Sequence, residues 1–335
     1  MKARRITIFA AMAAVVATGV LAGAGSAGTN GIGSGNLVFS AIDPADGMSD
    51  IYVMKTDGTQ KVNLTHDEVA HKDVTPAWSP DGSRIVFARH TGSGGSSIML
   101  VKADGSGMTN LTGAAASDAQ NVDPSWSPDG QQVVFASNRD GNYDLYWLKP
   151  GNTQAVQLTK TAAPVRNLDP SWSPNGKAIV FSRSGHRVTT SAAELFQLSV
   201  STGWAARLTS AFSGAGDRGG VYSPDGGSIA FYSDRAGNQD VYLLPLGGKA
   251  QQLTTSLKRD VEPSFAPDGS ALVFVSNRSG ATELWASNLL SVQPGVNETQ
   301  VTFDKQYKSH PGWAPAAAPS PIDPPVAIAT ATDAQ

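Results

Sequence analysis

There is no cysteine among the 335 residues. This excludes a disulfide framework, a thiol nucleophile and the lipid-bearing cysteine of a bacterial lipoprotein. Charge of one sign is scarce too. The chain carries 25 Lys and Arg against 28 Asp and Glu, a formal charge of −3 with no basic stripe, which argues against nucleic-acid binding. No stretch beyond the amino-terminal segment sustains a helical apolar period. A Gly-x-Ser-x-Gly nucleophile elbow and a His-Glu-x-x-His zinc motif are both missing, so two common hydrolase chemistries lack their residues. The five histidines are scattered along the chain.

What is present is a repeat. Pro76-Ala-Trp78-Ser-Pro80-Asp-Gly82 returns at Pro124–Gly130 and Pro170–Gly176, and in weaker form at Val221–Gly226, Pro263–Gly269 and Pro311–Pro315. The aromatic positions 78, 126, 172, 222, 265 and 313 are spaced by 48, 46, 50, 43 and 48 residues. A period of that size built from strand-like pieces points to propeller blades.

Each unit carries four strand signals. An apolar stretch ends at the aromatic, and the Ser-Pro-Asp-Gly after it suits a tight turn. A second run ends in Phe39, Phe87, Phe135, Phe181, Phe231 or Phe274. A third follows a Gly-rich turn, as at Asp50, Ile98, Asp144, Glu194, Asp240 and Glu283, and a fourth ends in Leu-Thr or Val-Thr. The first unit lacks its aromatic strand, and His310–Pro315 is that strand alone. The two ends are therefore expected to share one blade. That closes a six-bladed, all-β propeller of four antiparallel strands per blade and removes both sheet edges.

Residues 36–315 are expected to form this one domain, after a short linker at 28–35. Residues 1–27 read as a secretory signal peptide: a basic Met1–Arg5, an apolar Ala-rich run to about Leu21, and small residues up to Ala27. A membrane anchor is the competing reading. The residues after Arg4-Arg5 match a twin-arginine signal poorly. Cleavage near Ala27 would release the protein into a periplasm or outside the cell. It would remove Lys2, Arg4 and Arg5, taking the charge from −3 to −6. Residues 316–335 are Pro- and Ala-rich and read as a disordered tail.

Residues 124–159 follow the pattern Pro-x-Trp-Ser-Pro-Asp-Gly-x-x-Val-Val-Phe-x-Ser-Asn-Arg-x-Gly-x-x-Asp-Leu-Tyr and end in Leu-Thr. This resembles the TolB-like propeller repeat, and also the WD-repeat-like blades of the prolyl oligopeptidase and dipeptidyl peptidase propellers. Six copies in register carry the resemblance from about residue 36 to 315. It implies a six-bladed propeller. In TolB an α/β domain precedes the propeller and serves the Tol-Pal envelope system. The short stretch between Ala27 and the first strand leaves no room for it, so the resemblance speaks to fold. The oligopeptidase likeness would bring an α/β-hydrolase domain, which needs far more chain than follows Pro315.

The residues just before the repeat's proline are Thr75, Asp123, Asp169, Gly219, Glu262 and His310. Propeller symmetry brings every first strand to the central channel, so these six should converge near its mouth. Asp123, Asp169, Glu262 and His310 could hold Ca²⁺ or another hard cation through oxygen ligands. They could equally receive a cationic group of a partner, or form a solvated acidic rim. No other cofactor is implied. Asp217 and Arg218, in a crossing that departs from the repeat at 211–220, join Thr75 and the channel acids as candidate partner contacts. The hairpin at 184–193 and the segment 287–297 also depart from the repeat.

Other constellations have structural readings. His66-Asp-Glu-Val-Ala-His71 suggests a metal, but a solvated loop accounts for it. Arg139, Arg235 and Arg278 are expected to pair with the acids opening the third strands, Asp144, Asp240 and Glu283. The repeat's aromatics are expected in the core between blades rather than stacked on a sugar. The Asn63 and Asn110 glycosylation sequons belong to the repeat and read as accidental. The expectation is an exported, monomeric, non-enzymatic scaffold that binds an envelope or extracellular protein, peptide or glycan at one end of its channel, without stable membrane insertion. The alternative is a lyase or hydrolase with a metal-assisted site in the channel mouth.

Overall fold

The computed structural model describes residues 35–66, 71–92, 94–113, 119–152, 154–185, 192–210, 214–289, 295 and 298–316. Several expectations therefore fall outside it: the signal peptide, the terminal tail, and the departures at 186–191, 211–213 and 290–297 apart from Gly295. Within the described residues every regular element is a strand, and no helix is long and apolar enough to cross a membrane.

The strands form six four-stranded antiparallel sheets. Five blades are continuous in sequence, at 72–110, 121–157, 166–207, 217–252 and 260–300. The remaining one, blade 1, combines Asn36–Ile42, Ser49–Lys55 and Val62–Asn63 with the carboxy-terminal Lys308–Trp313. Leu37 pairs with Trp313 and Ser40 with Ser309, so the expected closing strand exists. The Ser40 and Ser309 hydroxyls meet at 2.8 Å inside it.

The apolar residues divide into six clusters, one per blade-to-blade interface. The second-strand phenylalanines Phe39, Phe87, Phe135, Phe181, Phe231 and Phe274 are fully buried, each between its own blade and a neighbour. The repeat's aromatics pack backwards onto the preceding blade: Trp126 on Val86 and Ala88, Tyr222 on Val180 and Leu195, Trp313 on Val273 and Leu284. They are core, as the repeat implied. The turn chemistry also holds. In the first complete unit Asp81 accepts from the Ser79 hydroxyl at 2.5 Å and from the Ser83 amide at 3.0 Å, and Gly82 takes φ +68°.

The hairpin arginines pair differently from expectation. Arg235 bonds Asp217 at 2.5 Å, Arg278 bonds Asp260 at 2.5 Å, and Arg139 bonds Asn121 at 2.7 Å. All three partners sit on the first strand, opposite the serine that closes the second. The third-strand acids are already satisfied from their other side. Asp144 accepts from Thr159 at 2.8 Å and from Asn167 of the next blade at 2.9 Å, and Glu283 faces Lys308 at 2.9 Å. Each guanidinium also lies over the aromatic pair of its blade, 4.9 Å from Tyr146 and from Tyr242 and 4.7 Å from Trp285.

Trp313→Ala should lower stability by about 3–5 kcal/mol, the usual loss for a buried aromatic. Ending the chain after Tyr307 removes the closing strand and should lower it further or cause aggregation, as thermal unfolding would show. A truncated protein that melts like the full chain would contradict the closure.

Candidate functional site at the channel

All six first strands carry the same irregularity. Their pairing with the second strand skips across two residues, as between Val74 and Ala77 or Val261 and Ser264. In five strands the skipped pair is the residue before the proline and the proline itself, and in the fifth blade it is Gly219 and Gly220. Proline has no N–H to lose, and a strand that faces the channel needs no second partner there. The first residue of each pair is left-handed: Thr75 (φ 53°), Asp123 (54°), Asp169 (52°), Gly219 (61°), Glu262 (56°) and His310 (51°). Such a φ is strained for every type here except glycine. Five non-glycine residues adopt it at one structural position, so the fold imposes it.

The bulge brings the six residues to one cavity of about 300 Å³. This is the convergence the repeat predicted. Between the six lie the prolines and small residues that follow them, with Trp78 and Trp313 in the lining. Tyr232 completes the wall. The sequence reading missed it, although two signals were available. Tyr232 follows Phe231 where blades 2, 3 and 4 have Ala88, Ala136 and Ser182, and Gly219 stands where the other blades have a side chain. A Cβ at Gly219 would lie 2.7 Å from the Tyr232 ring, so the two substitutions depend on each other.

The site is acidic and internally bonded. The Asp169 amide donates to Asp123 Oδ2 at 3.4 Å. The His310 amide donates to Glu262 Oε2 at 2.7 Å, and His310 Nε2 lies 3.6 Å from Glu262 Oε1. Although the Asp123 side chain borders the cavity, protein surrounds it closely. Burial first, and the Asp169 charge second, push its carboxyl up to about 8. Burial together with Asp169 and Glu262 also raises the Tyr232 hydroxyl. Thr75 Oγ1 and His310 Nδ1 are enclosed without a partner among the described residues.

The carboxylates surround the cavity rather than meet at a point. Among the described residues, the group of His and carboxylate side chains whose ligand atoms lie within 4.8 Å of one another is Asp43, Asp50 and His66, outside the channel. The other candidates lie apart from it as well. Asp217 is fully buried under Arg235, and Arg218 sits beside Gly216. Neither lines the cavity.

The sequence matches the TolB beta propeller domain over residues 109–218 and 193–318. The chain belongs to that family. No curated protein matches it significantly. Among solved structures, TolB from Acinetobacter baumannii has a TM-score of 0.67 at 22% identity, over 84% of this chain and 67% of that one. A putative TolB from Agrobacterium tumefaciens has a TM-score of 0.60 at 19% identity, over 84% and 99%. An oligogalacturonate lyase from Vibrio parahaemolyticus has a TM-score of 0.54 at 14% identity, over 79% and 73%. At these identities the likeness is one of fold.

The Asp123 carboxyl gives this TolB-family channel a pH signature. Its folded pKa lies above the ordinary aspartate value, so the native state keeps a proton that the unfolded chain releases. The associated stability is present below about pH 4 and is lost as pH rises through about 8. Asp123→Asn should therefore exceed wild type by at least about 1 kcal/mol at pH 9, one pKa unit being worth about 1.4 kcal/mol. The two should converge near pH 4. Chemical denaturation across that range tests it, and a pH-independent difference would count against it.

Proposed function

We propose that this protein is an exported binding propeller whose channel mouth receives a cationic group of a polypeptide partner. One observation carries the reading: six left-handed residues, three of them carboxylates, enclose one cavity of about 300 Å³. That volume is generous for a bare ion and suits an ammonium or guanidinium with its stem. Tryptophan and proline walls favour such a stem, the Asp169 and Glu262 carboxylates favour its charge, and a bound cation would favour release of the Asp123 proton. The enclosed Thr75 and His310 atoms offer further polar contacts. Export rests on the basic, apolar and small-residue order of positions 1–27. Ca²⁺ is the small-ion competitor for the same carboxylates.

This reading ranks above a metal-assisted lyase or hydrolase. Among the described residues the cavity brings only His310 to the acids, and their ligand atoms are dispersed. A binding propeller of the TolB family needs no such cluster.

The test is titration of the protein with a lysine-rich peptide and with an acidic peptide of equal length, read by the fluorescence of the channel tryptophans. The basic peptide should bind, with affinity falling as salt rises. Asp123→Asn/Asp169→Asn should weaken it at least tenfold. Equal binding of both peptides, or an unaffected double variant, would rule the reading out. Displacement of the peptide by Ca²⁺ would place the ion in the same site.

A further inference from the structure

Blade 1 departs from the others at one chemically telling position. In blades 3, 5 and 6 the fourth residue after the second-strand phenylalanine is arginine: Arg139, Arg235 and Arg278. In blades 2 and 4 an arginine two residues after it, Arg89 or Arg183, reaches the same aromatic ring. Five blades thus place a guanidinium over their aromatics and beside their first strand. In blade 1 the fourth residue after Phe39 is Asp43, and the sign of the charge is reversed. Lys61 covers the ring instead, 4.5 Å from the centre of Tyr52. Its ammonium is bonded to Asp304 at 2.6 Å and Gln306 at 2.5 Å, away from Asp43.

Asp43 is not alone. Asp50 opens the third strand and is 4% exposed. In blade 3 the equivalent acid, Asp144, gains hydrogen bonds from Thr159, Thr161 and Asn167. In blade 6 it is Glu283, which faces Lys308. Asp50 has neither arrangement. The first-strand residue of the next blade is another acid, Asp73, already held by Arg89 at 2.6 Å. Asp50 Oδ2 accepts from the Asn63 side-chain amide at 2.7 Å. The site is short of positive charge.

His66 supplies the third group. Its Nδ1 lies 3.5 Å from Asp43 Oδ2 and 3.9 Å from Asp50 Oδ2. Zinc bonds of about 2.0–2.1 Å at tetrahedral angles hold donor atoms about 3.3–3.4 Å apart. The three side chains are thus close to the spacing one ion needs. Their surroundings already orient them. The Ala45 amide fixes Asp43 Oδ1 at 2.8 Å, the Tyr52 hydroxyl and Asn63 Nδ2 donate to its Oδ2, and Asn63 Oδ1 accepts from the Thr65 and His66 amides. The His66 side chain is 54% exposed, so a fourth position faces solvent.

We propose that Asp43, Asp50 and His66 form a zinc site on blade 1, in which the metal supplies positive charge to the two carboxylates. The imidazole selects a borderline ion over Ca²⁺ and Mg²⁺, which prefer all-oxygen sets. The site is separate from the channel and does not depend on its proposed role.

The experiment is calorimetric titration of the untagged protein with Zn²⁺, and with Ca²⁺ as comparison. One equivalent of Zn²⁺ should bind and raise the melting temperature. His66→Ala should weaken binding at least tenfold, and its exposed side chain can be lost without disturbing the core. Asp43→Asn should do the same, while Asp123→Asn/Asp169→Asn should bind Zn²⁺ like wild type. No Zn²⁺ binding, full binding by His66→Ala, or loss of binding in the channel variant would each overturn the assignment. So would a preference for Ca²⁺.

Discussion

Pairing of Lys308–Trp313 with Asn36–Ile42 is the interaction on which the rest of the structure depends. Without it blade 1 loses its inner strand, and the first-to-last interface loses Trp313. This junction is also chemically distinct. At the other junctions the first-strand position is occupied by Asp73, Asn121, Asn167, Asp217 or Asp260, all fully buried. At the closing junction it is Lys308, equally buried, against Glu283 and Asp304. A buried ion pair of this kind contributes little net stability after desolvation, but it penalises misplacement heavily. We read it as a marker of register for the strand that must travel farthest along the sequence to find its partner.

Closure makes the channel, and the channel then repays a repeated strain. A left-handed φ at a non-glycine residue costs on the order of 1–3 kcal/mol, and five such residues ring the cavity. Their effect is to turn side chains of unlike chemistry inward from strands that are otherwise alike. The blades supply equivalence, and this one position supplies difference: three acids, a histidine, a threonine, and a glycine that admits Tyr232. On this TolB-family scaffold the chemical difference between blades is written into the exception to the strand geometry.

The sequence made legible whatever the repeat expresses. Blade number, the shared blade and the meeting of Asp123, Asp169 and Glu262 all follow from counting a period and finding its missing strand. What it hid depends on contacts between units. Asp240 is the nearer of two acids to Arg235 in sequence, yet Thr254 and Gln252 already occupy it, and Arg235 bonds Asp217. Tyr232 enters the channel because of an absence on the neighbouring strand, at Gly219. Asp43, Asp50 and His66 come from a turn, a strand and the connection to the next blade, and only His66 had been weighed as a metal ligand, as half of a pair with His71. A period reveals positions that agree, whereas partner choice is settled by those that do not.

The closure can be tested without removing anything. Ser40 and Ser309 are cross-strand partners, and the chain has no cysteine to interfere. In Ser40→Cys/Ser309→Cys the two thiols should oxidise within one molecule to near completion, because paired strand positions suit disulfide geometry. The bond would span 269 residues of sequence, and chain-entropy reasoning then gives about 5 kcal/mol of added stability. The account predicts a monomeric, oxidised protein that melts well above its reduced form. Free thiols after oxidation, or disulfide-linked dimers in place of monomers, would contradict it.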